Sequence, residues 1–210
     1  MARDWVEWHR SYTDPGSDLS QRLAVVTTAI IDAISSAPPG PISVLSLCAG
    51  EARDLSGAAL GHPRSGDMHG VAVELNAGLA AIAAGSLRDA GTSIEVRCAD
   101  AGRPIHWDDV VPVDVLLLVG IFGNLTDDHV QRTVAATAAM VRAGGTIIWT
   151  RHRKAPDLTP SIRGWFDDTG CTPIGFTSAG PESYAVGVER MDEPRSSVAL
   201  PEQLFRFVDA

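Results

Sequence analysis

Lysine is almost missing from this chain: Lys154 is the only one, against sixteen arginines. Acids outnumber bases, and the formal net charge of -9 describes a surface that repels phosphate backbones, so nucleic acid is not an expected partner. The one basic cluster is Arg151-His152-Arg153-Lys154. Cysteine is scarce as well. Cys48, Cys98 and Cys171 form no CxxC pair and leave an odd count, which argues against a disulfide framework and a thiolate zinc site. No metal is expected, and a reduced, cytoplasmic setting fits. Long apolar runs are lacking, and the opening MARDWVEWHR is charged and aromatic where a secretory signal needs an apolar segment. A soluble, unprocessed protein with no membrane partner is the expectation. There is no repeat of fixed period, no GxGxxG around Gly50, and no GxxxxGK[ST] anywhere, which disfavours a dinucleotide dehydrogenase and a phosphate-binding loop.

What is present is an order of elements, in a length of 210 residues that suits one domain. Leu23, Val26, Thr27, Ile30, Ile31 and Ile34 recur at helical spacing over Leu19 to Ser35, and the run Ala37-Pro38-Pro39-Gly40-Pro41 ends that helix. Strands are predicted at Ile42 to Leu47, Gly70 to Leu75, Ser93 to Ala99, Val113 to Phe122 and Thr146 to Thr150. Helices fall between them at Arg53 to Leu60, Ala77 to Ala90 and Thr126 to Val141, with Thr126 as N-cap and Gly144-Gly145 closing the last. After a helix over Ser161 to Asp168 the pattern changes. Cys171 to Thr177 and Tyr184 to Met191 are joined by too few residues for a helix, so they form an antiparallel hairpin. Five βα units and a hairpin predict a doubly wound, mostly parallel α/β sheet with helices on both faces. Such a sheet binds its ligand at the carboxyl ends of its strands.

Those ends carry chemistry in order. VLSLCAGEARDL, residues 44 to 55, is a strand breaking into a small-residue turn at Gly50. Glu74 ends the second strand, where an acid hydrogen-bonds ribose hydroxyls in this kind of sheet. Asp100 ends the third strand in CADA, placed to accept from an adenine amino group, and Gly120-Ile121-Phe122-Gly123 ends the fourth. Taken alone, the two acids read better as solvated strand ends; their joint placement with the turn and the hairpin reverses that preference and favours a site.

In these segments, VLSLCAGEARD, VAVEL, CADA, DVLLLVGIFGNLTDD and the TIIWT strand with its closing hairpin, the chain resembles the class I S-adenosylmethionine-dependent methyltransferases from about Pro41 to Met191. LCAGEARDL and GIFGNLTDDHV look more narrowly like a group of small actinobacterial, hence bacterial, methyltransferase-like proteins. The resemblance implies a seven-stranded Rossmann-like sheet, S-adenosyl-L-methionine as cofactor, and transfer of a methyl group to a small-molecule substrate. It also implies a division into an N-terminal lid at 1–40, a cofactor-binding core at 41–191 and a tail packed on the core at 192–210, in a monomer or homodimer. Ser46, Cys48, Ala49 and Gly50 would pass along the methionine part of the cofactor; Glu74 would bind the ribose with Leu75 beside the adenine; Asp100 and Ala101 would meet the adenine edge. Gly120, Ile121 and Phe122 would line the cofactor and face the substrate. Three positions depart from the family pattern: Ser46 stands where an acid is usual, and Cys48 and Ala52 where glycines are.

Methyl transfer needs alignment and exclusion of water more than it needs an acid or base. Candidates for the acceptor side are Asn124 just past the fourth strand, His152 just past the fifth, and Tyr12 within the aromatic segment Trp5 to Tyr12, which reads as a packed helix or a lid. His9, His106 and His129 read as surface or capping residues. Arg151 or His152 could anchor an anionic substrate group. The altered glycine turn keeps open a protein that binds the cofactor without transferring from it. A different reaction of the same cofactor, cyclisation or aminocarboxypropyl transfer, is a further alternative.

Overall fold

The computed structural model describes residues 14, 16–193 and 199–208. Seven strands, β1 (Ile42–Leu47), β2 (Met68–Glu74), β3 (Ser93–Cys98), β4 (Val113–Leu118), β5 (Val141–His152), β6 (Cys171–Ser178) and β7 (Tyr184–Met191), form one sheet in the order β3-β2-β1-β4-β5-β7-β6. The first five are parallel, and β7 runs antiparallel between β5 and β6. The expected architecture is therefore observed: a Rossmann-like parallel core closed by an antiparallel hairpin. β1 is buried at every position, as a central strand covered on both faces must be.

Five helices are described: α1 (Asp18–Ser36), α2 (Arg53–Ala59), α3 (Ala77–Asp89), α4 (Asp127–Met140) and α5 (Thr159–Asp168). Val26, Ile30 and Ile34 of α1 share one side of the sheet with Leu55 of α2 and Ala83 and Leu87 of α3. Val130 and Val134 of α4 pack on the other side with Ile162 and Phe166 of α5. Thr126 is the N-cap expected at α4, accepting from the His129 amide; Ser17 likewise accepts from the Ser20 amide at the start of α1, and Asn76 from Gly78 and Leu79 at α3.

Two boundaries differ from expectation, each for a backbone reason. β4 stops at Leu118 instead of reaching Phe122, because Gly120 takes φ +77 and hands its amide to Thr150 Oγ1 at 2.8 Å. Phe122–Asn124 then closes as a single tight turn. Conversely, β5 begins at Val141, well before Thr146: Val141 pairs with Val113, the register shifts, and Gly144 at φ +82 carries the irregularity inside the strand instead of ending a helix. At the hairpin, a side chain on Gly187 would lie 2.1 Å from the Trp149 indole. The missing Cβ there lets that ring cross β7 and donate to Glu189 Oε1 at 3.1 Å.

Between β3 and β4 no full helix forms. Two short turns, Pro104–His106 and Asp108–Val110, frame a fully buried Trp107. The C-terminal segment 199–208 covers the space beside them, with Leu204 and Phe205 buried in the same core as Trp107 and Phe122. No helix among the described residues is long and apolar enough to cross a membrane.

Candidate functional site

The carboxyl ends of β1, β2, β3 and β4 open into one cavity of about 1090 Å³. Its floor is the turn after β1. Ala49 donates to Val73 O at 2.9 Å, and Ala52 donates back to Ala49 O at 2.8 Å, so the loop closes tightly before α2. Cys48 takes φ +54 and Ala52 φ +53. Left-handed backbone costs a residue with a Cβ roughly 1–2 kcal/mol. Both positions thus hold, with a side chain, a backbone conformation that favours glycine.

Glu74 organises the turn from the next strand. Its Oε2 accepts from the Gly50 amide and its Oε1 from the Asn76 amide, each at 2.8 Å. The carboxylate is 9% exposed and borders the cavity, and each oxygen retains a second lone pair for a ligand hydroxyl. Leu75 follows it with 70% of its side chain exposed, an apolar surface on a cavity wall. Asp100 ends β3 in a turn, accepting from the Gly102 amide at 2.9 Å. Burial raises the Cys48 thiol above its usual range, and the neighbouring Glu74 and Asp100 carboxylates raise it further. It is a neutral thiol, not a nucleophile.

The opposite end of the cavity is charged differently. Arg22, with Leu23 and Val26 of α1, faces Arg53 and Asp54 of α2. Desolvation by burial raises the Asp54 carboxyl, against hydrogen bonds from the Leu55 and Asp54 amides and the charge of Arg22.

Of the candidate cofactor residues, Ser46, Cys48, Ala49, Gly50, Glu74, Leu75, Asp100, Ala101 and Gly120 are brought together around this cavity. Ile121 and Phe122 are fully buried in the core behind it. Asn124 and His152 stand together, off the cavity: the Asn124 amide donates to Gly120 O at 2.8 Å, and the His152 ring packs on Gly123, 3.2 Å from where a Cβ would sit. Burial lowers His152, with Arg151 and Lys154 lowering it further, so it stays neutral near physiological pH. Next to it, Arg151 is buried with its guanidinium donating to Phe122 O. Arg151 Nε and His152 Nδ1 have no hydrogen-bond partner among the described residues. Tyr12, like Trp5, Trp8 and His9, lies outside the described residues.

Sequence reasoning missed Arg22, Asp54, Arg103 and the wall made by Glu202, Gln203, Phe205, Arg206 and Phe207. The arginine at α1 and the acid at α2 were visible as residues, but helical periodicity reports which face is buried, not which end of the sheet a side chain overhangs. The tail carries no periodic signal at all. No group of three His, Cys, Asp or Glu among the described residues is placed to hold a metal ion.

No protein-family model matches the sequence, and no curated protein matches it. Solved structures do match. The CurJ carbon methyltransferase aligns with a TM-score of 0.63 at 14% identity, over 81% of this chain and 54% of its own; this chain spans about half of that protein. An O-methyltransferase family protein from Burkholderia thailandensis gives 0.60 at 17% identity over 90% of this chain and 69% of its own. The 1,6-didemethyltoxoflavin-N1-methyltransferase of Burkholderia thailandensis, solved with 1,6-didemethyltoxoflavin and S-adenosylhomocysteine bound, gives 0.60 at 16% over 90% and 87%. At these identities the likeness establishes the fold, which this chain shares with S-adenosylmethionine-dependent methyltransferases.

Proposed function

We propose that this chain binds S-adenosylmethionine and transfers its methyl group to a small molecule by in-line displacement. The observation that carries the reading is the order of groups around the cavity, which suits a nucleoside with an amino-acid tail. Glu74 offers a buried carboxylate to the ribose hydroxyls, while Asp100 and Ala101 meet the edge of the base and Leu75 covers its face. Ser46, Cys48, Ala49, Gly50 and Gly120 run beneath the ribose and methionine. Arg22 and Asp54 supply opposite charges to the carboxylate and ammonium of the tail. The cavity volume of about 1090 Å³ lies at the top of the range for small-molecule sites, which leaves space for an acceptor beside the cofactor.

When bound, the cofactor supplies a methyl group already activated on a sulfonium. What remains for the chain is to orient it, exclude water and place the acceptor. Residues 1–40 would serve as the lid, with Tyr12 on the acceptor side, over the core at 41–191 and the tail at 192–210. Asn124 and the neutral His152, off the cavity beside the turn after β4, would orient an acceptor or take its proton where that acceptor reaches past this turn, which Ile121 and Phe122 back from the core. The low-identity neighbours with S-adenosylhomocysteine or small molecules in their sites support this reading at the level of the fold.

Calorimetric titration with S-adenosylhomocysteine tests it. Micromolar binding is expected, and no heat at high micromolar ligand would end the proposal. Glu74→Ala should weaken that binding about ten- to hundredfold, from loss of hydrogen bonds to a charged acceptor, with thermal melting checking the fold. A second reading, binding without transfer, is favoured by the Cys48 side chain standing in the cavity near Glu74 and Asp100. Tight binding with no S-adenosylhomocysteine formed from S-adenosylmethionine across a broad acceptor panel would select it.

A further inference from the structure

The C-terminal segment does more than cover the core. Between Gln203 and Val208 it crosses the cavity mouth from the end of β3 to the end of β4, tied at both sides. The Leu204 amide donates to Gly102 O at 2.7 Å, the Arg206 amide to His129 Nδ1 at 3.4 Å, and the Val208 amide to Asn124 O at 3.0 Å. Leu204 and Phe205 anchor it, at 0% and 2% exposure. The fit at Gly102 is close: a Cβ there would lie 2.3 Å from Phe205 O. Phe207 is only half-buried, stacks on Phe205 with ring centroids 6.2 Å apart, and lines the cavity. Its backbone neighbours Arg206 and Val208 are held by α4 and by the turn after β4, and both its ring and the exposed Leu75 line the cavity.

We propose that the C-terminal strap is part of the ligand site, with Phe207 forming an aromatic wall against the base of an adenine nucleoside opposite Leu75. The inference rests on the reading of the cavity as a nucleoside site. The residues around the strap favour a base over the other parts of such a ligand. Asp100, the acceptor for an exocyclic amine, is in the turn whose Gly102 carbonyl holds the strap. The charged groups Arg22 and Asp54 lie on α1 and α2, across the cavity. An aromatic face adds stacking that neither aspartate nor leucine provides.

The test is titration of the full chain with S-adenosylhomocysteine and with methylthioadenosine, which share the adenosine and differ in the amino-acid tail. Phe207→Ala should weaken both about tenfold or more, and Phe207→Tyr should restore both. If Phe207→Ala melts early, Phe207→Leu keeps the apolar bulk without the ring face and should show the same loss. Gly102→Ala pushes a methyl at Phe205 O and should weaken both ligands without altering a strap residue. S-adenosylhomocysteine should slow tryptic cleavage after the exposed Arg206. Equal affinities for the parent chain, Phe207→Leu and Gly102→Ala would overturn the strap's role while leaving the cavity reading intact. Failure of the parent chain to bind either ligand would overturn both.

Discussion

Asp54 faces two opposing demands. Its carboxyl is raised by desolvation, so in the folded chain the neutral form is favoured over what an unfolded aspartate, near pH 3.9, would show. A group raised on folding stabilises the fold below the unfolded value, and that contribution is lost as pH climbs through the raised folded value. At neutral pH the ionised Asp54 therefore costs stability, an effect that Arg22 offsets in part and that a ligand cation beside it would offset further. Asp54→Asn should melt higher than the parent at pH 7 without ligand, with the gap closing as pH falls toward about 4. The same variant should bind S-adenosylhomocysteine about tenfold more weakly, because a charged hydrogen bond to the ammonium is gone. Lower stability of the variant at pH 7, or unchanged affinity, would remove Asp54 from the site. Glu74 and Asp100 were legible as candidates because each closes an apolar strand, and strand ends in this fold face one cavity. Asp54 was not, because a carboxylate one residue into a helix reads as an ordinary first-turn acid. Cys48 and Ala52 were legible only as departures. Their positive φ angles add that the turn holds a backbone path that favours glycine while carrying side chains at both positions.

Among elements, α1 has the most demanding end, since Pro38, Pro39 and Pro41 leave its last carbonyls without backbone donors. Arg64, from the segment before β2, answers much of this: its guanidinium reaches Ile34 O at 3.1 Å, Ala37 O at 2.7 Å, Pro38 O at 2.9 Å and Gly40 O at 2.8 Å, and its Nε pairs with Asp67 at 2.9 Å. A planar fork with five donors suits that cluster, and a lysine cannot span it. Arg64→Ala should destabilise the chain by about 1–3 kcal/mol, chiefly from the two half-buried hydrogen bonds to Ile34 O and Ala37 O, with less from the exposed ones to Pro38 O and Gly40 O. A melting temperature within a degree of the parent would show that the clamp contributes little. Because α1 carries Arg22 to the cavity, ligand affinity should fall with it. Most elements were readable because their apolar spacing is regular: β1, and the hairpin of β6 and β7, follow the predicted limits closely. The ends of β4 and β5 were not, since a Gly in a strand-like run marks either a stop or an irregularity, and only cross-strand pairing decides which. The strap was invisible because its apolar residues, Leu204, Phe205 and Phe207, follow no period and gain their meaning from Gly102 and Asn124, respectively about a hundred and about eighty residues earlier in the chain.

Across the whole molecule, the cavity is walled by stretches that the sequence keeps far apart: 22–26 of α1, 46–54 around the first turn, 74–79 after β2, 100–103 after β3, 119–120 after β4, and 202–207 of the strap. They also belong to both sides of the sheet, since α1 and α2 pack on one face while the strap packs on the other. A ligand spanning the cavity links these layers, so its binding free energy is felt as global stability and not as stiffening of one loop. At one hundred times its Kd, a ligand that binds only the folded chain adds about 2.7 kcal/mol. In a domain of 150–250 residues that is a rise in Tm of roughly 5–11 °C. S-adenosylhomocysteine should therefore raise the melting temperature progressively with the logarithm of its concentration. Amide exchange should slow together in 22–26 and 203–208, two segments at opposite ends of the chain. Methylthioadenosine, which lacks the amino-acid tail, should protect 203–208 but leave 22–26 nearly as fast as in the ligand-free chain. A melting curve that does not move up to millimolar S-adenosylhomocysteine would exclude the nucleoside site, and protection confined to 46–54 would show a ligand that meets the turn without bridging the layers.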